Sequence, residues 1–117
     1  MTIQQVEPVT IARGDCVDMQ FEIVGSANEA INVSEYSAYY ILSPYSFEDE
    51  NVLWKDMSLV SGSNNIIRVT LLSSETATLE EGTYTAKIVL EHEGNFYKKA
   101  RGVFNVQKDT DVMGVTM

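Results

Sequence analysis

Basic residues are scarce in this sequence. Eight lysines and arginines stand against seventeen aspartates and glutamates, for a formal charge of −9. Like-signed fields repel at long range, so DNA and RNA are poor partners for the molecule as a whole. Cysteine occurs once, as Cys16. That excludes a disulfide within the chain and a zinc site built from cysteines, and a lone thiol suits a reducing compartment. As a nucleophile Cys16 would need a base close by, but its neighbours are acidic, so it reads as a small residue at a strand start. Histidine also occurs once, as His92, between Glu91 and Glu93. A Ser-His-Asp triad would have to use it, and nothing around it resembles an activated serine or an oxyanion loop. A metal site there would need ligands that strand alternation puts on opposite faces, so His92 reads as an exposed turn residue.

Other chemistry is missing as well. There is no glycine-rich phosphate loop, and no stretch approaches the roughly 18–20 apolar residues of a spanning helix. Residues 1–15 have neither an apolar run nor a basic start, so no secretory signal is expected and synthesis in a cytoplasm is. Glu48-Asp49-Glu50 and Asp109 with Asp111 lack EF-hand spacing and read as solvated acidic loops. Nothing marks out a carboxylate pair for glycoside hydrolysis. No cofactor is expected, and an enzyme is the least supported class.

What is present is a patterned core. The 117 residues are 44% hydrophobic, enough for one domain with a buried interior and too apolar for a disordered chain. Residues 3–11 read as an edge strand, because Pro8 removes a ladder donor that an edge can spare. Arg13-Gly14-Asp15 spells an integrin tripeptide but is explained as a turn between strands. From Cys16 to Val24, Val17, Met19, Phe21 and Ile23 alternate with Asp18, Gln20 and Glu22, the pattern of a half-buried antiparallel strand. Residues 31–34 form a short extended piece whose Asn32-Val33-Ser34 sequon should stay unused. Tyr36 to Leu42 is a further strand with Ala38, Tyr40 and Leu42 inward. It leaves Tyr39 and Ile41 outward, and Pro44 ends it.

Residues 45–51 are a loop, 52–55 a short strand around the sole tryptophan, Trp54, and 58–65 a polar turn region. Ile67, Val69 and Leu71 share one face of the next strand. Residues 73–79 suit one helical turn capped by Ser73 or Ser74, with Glu75 near its start. The stretch Ser73 to Glu93 organises the rest. Leu79, Gly82 and Tyr84 make an L-x-x-G-x-Y step into a strand that sets Tyr84, Ala86, Ile88 and Leu90 against Thr85, Lys87, Val89 and Glu91. Such a step looks like a sandwich corner, where the tyrosine bonds back to nearby backbone and packs its ring inward. Residues 91–95 are a hairpin connection relying on Gly94-Asn95, and Phe96 to Val106 return as the last strand. About seven strands with turn signals roughly every ten residues predict a single all-β, immunoglobulin-like antiparallel β-sandwich. The domain division is an arm or edge strand over 1–10, the sandwich over 11–108 and a tail over 109–117.

Four motifs in this order resemble the N-terminal immunoglobulin-like domain of phage baseplate upper proteins and related tail-fibre and head-fibre modules. Gly14-Asp15-Cys16-Val17-Asp18-Met19-Gln20-Phe21 is similar to that family's opening GD-x-V-x-x-x-F strand. Val33-Ser34-Glu35-Tyr36 resembles its L-[ST]-G-Y step, with Glu35 where glycine is frequent. Ile67 to Leu71, continuing through Thr76 and Leu79 to Gly82 and Tyr84, resembles I-x-V-x-L-x-x-x-x-T-x-x-L-x-x-G-x-Y. Arg101-Gly102-Val103-Phe104-Asn105-Val106 resembles the closing R-G-x-F-x-V strand. The likeness spans residues 11–108. It implies a non-enzymatic virion role in baseplate, tail, neck, fibre base or capsid decoration. It also implies no cofactor, and assembly with identical subunits or other virion proteins. Longer members carry coiled-coil or receptor-binding parts after this domain; here the expectation is the module alone, acting as a small adaptor.

Two residue sets are candidates for contact. Lys98, Lys99 and Arg101 form the only basic cluster; alternation puts Lys99 and Arg101 on one face of the last strand, with Lys87 opposite on the paired strand. That stripe suits an acidic patch on an identical or neighbouring subunit, with edge protection by lysine as the plainer reading. Val112, Met113 and Val115 give the tail an apolar side that suits the same assembly. The alternative function, a carbohydrate- or surface-binding module, would use Tyr39, Tyr45, Phe47 and Trp54. Core or edge packing is the plainer reading of Trp54.

Overall fold

The computed structural model describes residues 4–5, 7–25, 27, 29–46 and 50–108, with strand placement alone at 4–5 and 98–99. Among them are eight strands and one short helix: β1 (Gln4–Gln5), β2 (Val9–Ala12), β3 (Val17–Glu22), β4 (Ser37–Pro44), β5 (Leu53–Leu59), β6 (Ile66–Leu71), α1 (Ser73–Thr76), β7 (Gly82–His92) and β8 (Asn95–Gln107). The strands hydrogen-bond in the order β1-β8-β7-β4-β5-β6-β3, with β2 also on β8. The path folds into two layers at β5. Leu53 to Met57 pair with β4, whereas Ser58 and Leu59 pair with β6. Between the layers lie Met19 and Ile23 from the β3 side, Ile67, Val69 and Leu71 from β6, and Tyr40, Leu42, Ile88, Leu90 and Phe104 from the facing layer. The rings of Phe21 and Tyr40 stack across that interior at 5.8 Å. The fold is the expected all-β sandwich, with inward residues at every second position of β3, β4, β6 and β7.

Five local expectations are corrected. The N-terminal strand is broken at Pro8 into β1 and β2, and both pair with β8 in parallel, so the sandwich is not wholly antiparallel. β2 carries Ile11 into the core and runs across the expected boundary at residue 10. Strand β5 continues four residues past Lys55, because Asp56 and Ser58 form the solvated face of an alternation, so Ser58 belongs to the strand and not to the turn region. Lys55 occupies an inward-parity position of that strand, where its ammonium donates to both carboxylate oxygens of Glu75 at 2.9 and 2.8 Å. Helix α1 is not capped by a serine: the residue before it is Leu72, whose N–H donates to Glu75 Oε1 at 2.8 Å. At the β7–β8 hairpin the left-handed pair is Glu93 and Gly94, with φ of 51° and 82°, and not Gly94-Asn95. His92 pairs with Asn95 across that two-residue loop, the geometry that asks for two left-handed residues.

Both turns that the sequence singled out are present. Asp15 N–H donates to Ala12 C=O at 3.0 Å, its carboxylate accepts from Ala12 N–H at 3.0 Å, and Arg13 Nε reaches Ala77 C=O at 3.0 Å just past α1. The Arg-Gly-Asp stretch is thus a structural corner leading from β2 to β3. Tyr84 is buried, and its hydroxyl donates to Glu80 C=O at 2.6 Å. This is the corner expected from L-x-x-G-x-Y.

Candidate functional site

The outward face of β5-β4-β7-β8 brings the largest number of candidate residues together. Its register sets Trp54 opposite Ile41, Ile41 opposite Lys87, and Lys87 opposite Arg101, in one row across four strands. The next row holds Asp56, Tyr39 and Val89. Ile41 points away from the sandwich interior yet is only 3% exposed. Val89, beside it on β7, is buried as well. Long neighbours on central strands cover such positions with their stems and rings. This explains the apolar outward residues of β4: the sheet carries a second, thin apolar layer on its outer side.

Trp54 does not pack into the core or at an edge as expected. It is 49% exposed and leans on Tyr39 with ring centroids 5.3 Å apart. Its outward place follows from the alternation of β5, in which Trp54, Asp56 and Ser58 share the exposed face. Tyr45 is 60% exposed but lies six residues along the chain from Tyr39, about 20 Å at strand rise. Its N–H is held by Thr83 C=O at 3.1 Å, beyond the end of β4. Trp54 and Tyr39 therefore form a pair that excludes Tyr45 from the same platform. Phe47 lies outside the described residues, as do Val112, Met113 and Val115 of the tail.

The basic candidates are only partly brought together. Lys87 and Arg101 are direct cross-strand partners, and each makes further interactions within the fold. Like charges directly opposite one another are unfavourable in a sheet unless other groups compensate them. Lys99 falls at a β-bulge: Ile88 pairs with Ala100 and Val89 with Lys98, leaving Lys99 as the extra residue. The plain alternation that was to put Lys99 and Arg101 on one face is interrupted there.

A second aromatic cluster was not singled out from the sequence. At the β7–β8 hairpin, Tyr36 stands 5.2 Å from the His92 ring and 6.4 Å from that of Tyr97, with exposed Phe96 alongside in the sequence. His92 is half-buried against Tyr36 and is not an open turn residue. The residues come from two distant segments, so only pairing of β4 with β7 unites them.

The chemistry of the described residues is that of packing and ion pairing. Among them no group of three or more His, Cys, Asp or Glu could hold a metal ion. Cys16 is exposed at the foot of β3. Glu75 is held by two donors: the hydrogen bond from Lys55, then that from the Leu72 N–H, hold its pKa below the ordinary value. Burial pushes the phenols of Tyr40 and Tyr84 up, with the charge of Glu80 adding to the latter. No described helix is long and apolar enough to cross a membrane.

No protein-family model matches the chain, and no curated protein matches it in sequence. Among solved structures, the N-terminal domain of phage TP901-1 ORF48 is similar. The match has a TM-score of 0.60 at 13% identity, and covers 92% of this chain and 100% of that one. The chain thus has the fold of a domain that a phage protein carries.

Proposed function

We propose that this chain is a non-enzymatic structural component of a bacteriophage particle that works through protein–protein contacts. The observation that carries this reading is the whole-length structural likeness to a phage protein's N-terminal domain. The four ordered motifs, which resemble the baseplate upper protein and fibre-module family, add to it. On this reading the place of work is the virion, in baseplate, tail, neck, fibre base or capsid decoration, after synthesis in the bacterial cytoplasm. Partners are identical subunits or other virion proteins. The outward row through Ile41, Lys87 and Arg101 is one contact face, and the tail with Val112, Met113 and Val115 is another. The test is mass spectrometry of purified particles from a producing culture, with light scattering of the isolated protein. The chain at fixed stoichiometry in particles is the expected result. Its absence from particles ends the reading.

One observation favours a second reading. Trp54, half exposed and set against Tyr39, has the form of a small stacking platform for a sugar ring. A glycan array with no hits removes it.

A further inference from the structure

The sandwich is closed on one side, where β5 belongs to both layers. On the other side, β2 and β3 diverge from the Arg13–Asp15 corner, and a groove of about 450 Å³ opens between them. Its floor is the core itself, through Met19, Ile23, Ile88 and Ala100. Pro8 sits on one wall, at the break between β1 and β2. The other wall is β3, which among the described residues pairs with β6 alone.

The direction of the free backbone groups follows from the register. Glu22 pairs with Ile66, and the next residue, Ile23, donates its N–H to Asn65 C=O at 2.8 Å. In an antiparallel ladder the orientation alternates strictly. Phe21 and Met19 therefore turn their N–H and C=O toward β6, and Asp18, Gln20 and Glu22 turn theirs toward the groove. No proline or lysine blunts this edge, the devices that commonly prevent strand addition. Exposed carboxylates stand on both rims, Glu7 on one wall and Glu22 on the other.

We propose that β3 is a docking edge for an extended segment of a partner protein in which apolar residues alternate with lysine or arginine. Main-chain bonds to Asp18, Gln20 and Glu22 would align the segment, its apolar side chains would enter the groove, and its cations would meet Glu7 and Glu22. The acidic rims and the formal charge of −9 disfavour a second copy of this chain as occupant. The proposal names the contact edge for the assembly role put forward above, and rests on that reading only for the partner's being a virion protein.

The test uses the full chain with two short peptides, one alternating valine and lysine and one alternating valine and glutamate. The expected result is saturable binding of the lysine peptide alone, with slowed amide exchange at Asp18, Gln20 and Glu22. The double variant Glu7→Lys with Glu22→Lys, both exposed, should weaken binding by about tenfold or more. Gln20→Pro should abolish it, since proline removes a groove-side N–H and leaves the bonds to β6 intact. A thermal melt confirms that each variant is folded. Lack of saturable binding, binding that the rim variant leaves unchanged, or protection elsewhere overturns the proposal. Binding seen only after removal of residues 109–117 overturns it in favour of the chain's own tail, and a dimer lost in Gln20→Pro in favour of a second copy. Peptide binding by a chain absent from purified particles upholds the edge and ends the virion reading. Particles that take up the Gln20→Pro chain at normal level uphold the virion reading and end the assembly role of β3.

Discussion

The hydroxyl of Tyr84 donates to the carbonyl oxygen of Glu80 at 2.6 Å, tying the start of β7 to the loop that follows α1. Leu79, buried one residue before Glu80, plugs the same end of the sandwich. The bond is short and its donor buried, so Tyr84→Phe should cost about 1 kcal/mol in chemical denaturation. Tyr84→Ala should cost about 3–5 kcal/mol, because the ring is part of the core. Equal losses for the two variants would show that the hydroxyl, and not the ring, supplies the stability.

Glu75 links three segments: Lys55 of β5, the Leu72 N–H before α1, and the helix itself. Its pKa in the folded state is lowered, first by the Lys55 hydrogen bond and then by the Leu72 N–H. The unfolded value is near 4.3, so this contribution is complete above that pH and is lost as pH falls through the lower folded value. Glu75→Gln should lower stability by about 1 kcal/mol at neutral pH. It should also flatten the acid limb of the stability curve measured by urea unfolding. An unchanged acid limb would remove Glu75 from the account.

Tyr40 behaves in the opposite sense. It is buried in the interior, and burial drives its phenol well above the ordinary tyrosine value. Stability from a neutral Tyr40 is complete below the unfolded value of about 10 and declines as pH rises toward the folded value. Spectroscopic titration of the tyrosines should show Tyr40 ionising only with unfolding. Tyr40→Phe should extend the alkaline limit of the native state. Ionisation of every tyrosine with the fold intact would contradict the buried placement.

Trp54 is the only tryptophan, so its fluorescence reports on the outward face alone. Emission should be red-shifted for a half-exposed indole and should be quenched by iodide in the free protein. Trp54→Ala should cost no more than about 1 kcal/mol, the scale of the Tyr39 contact together with partial burial. Binding of a particle protein or a sugar on this face should shift the emission and protect it from quenching. Blue-shifted, iodide-resistant emission from the free chain would place Trp54 elsewhere.

The sequence by itself determined the sandwich. Alternation at Val17, Met19 and Phe21, at Ala38, Tyr40 and Leu42, at Ile67, Val69 and Leu71, and at Tyr84, Ala86, Ile88 and Leu90 is a period-two signal. It requires one face inside, and the observed burial follows it. The Tyr84 corner was legible too, because its hydrogen bond spans only four residues. These are local facts, written in neighbouring positions. What only the tertiary structure decided depends on which strand lies beside which. Strand β5 serves both layers because Asp56 and Ser58 alternate outward, which a polar run does not reveal. Tyr36 meets His92 and Tyr97 because β4 pairs with β7. The register of β7 on β8 shifts by one residue at Lys99, because a bulge falls between Ile88 and Val89. Among the described residues the groove side of β3 is unpaired, because Pro8 breaks the N-terminal strand and the corner at Arg13 carries β2 and β3 into different layers. Register and layer assignment are set by contacts far apart in the chain, and periodicity in a single segment does not encode them.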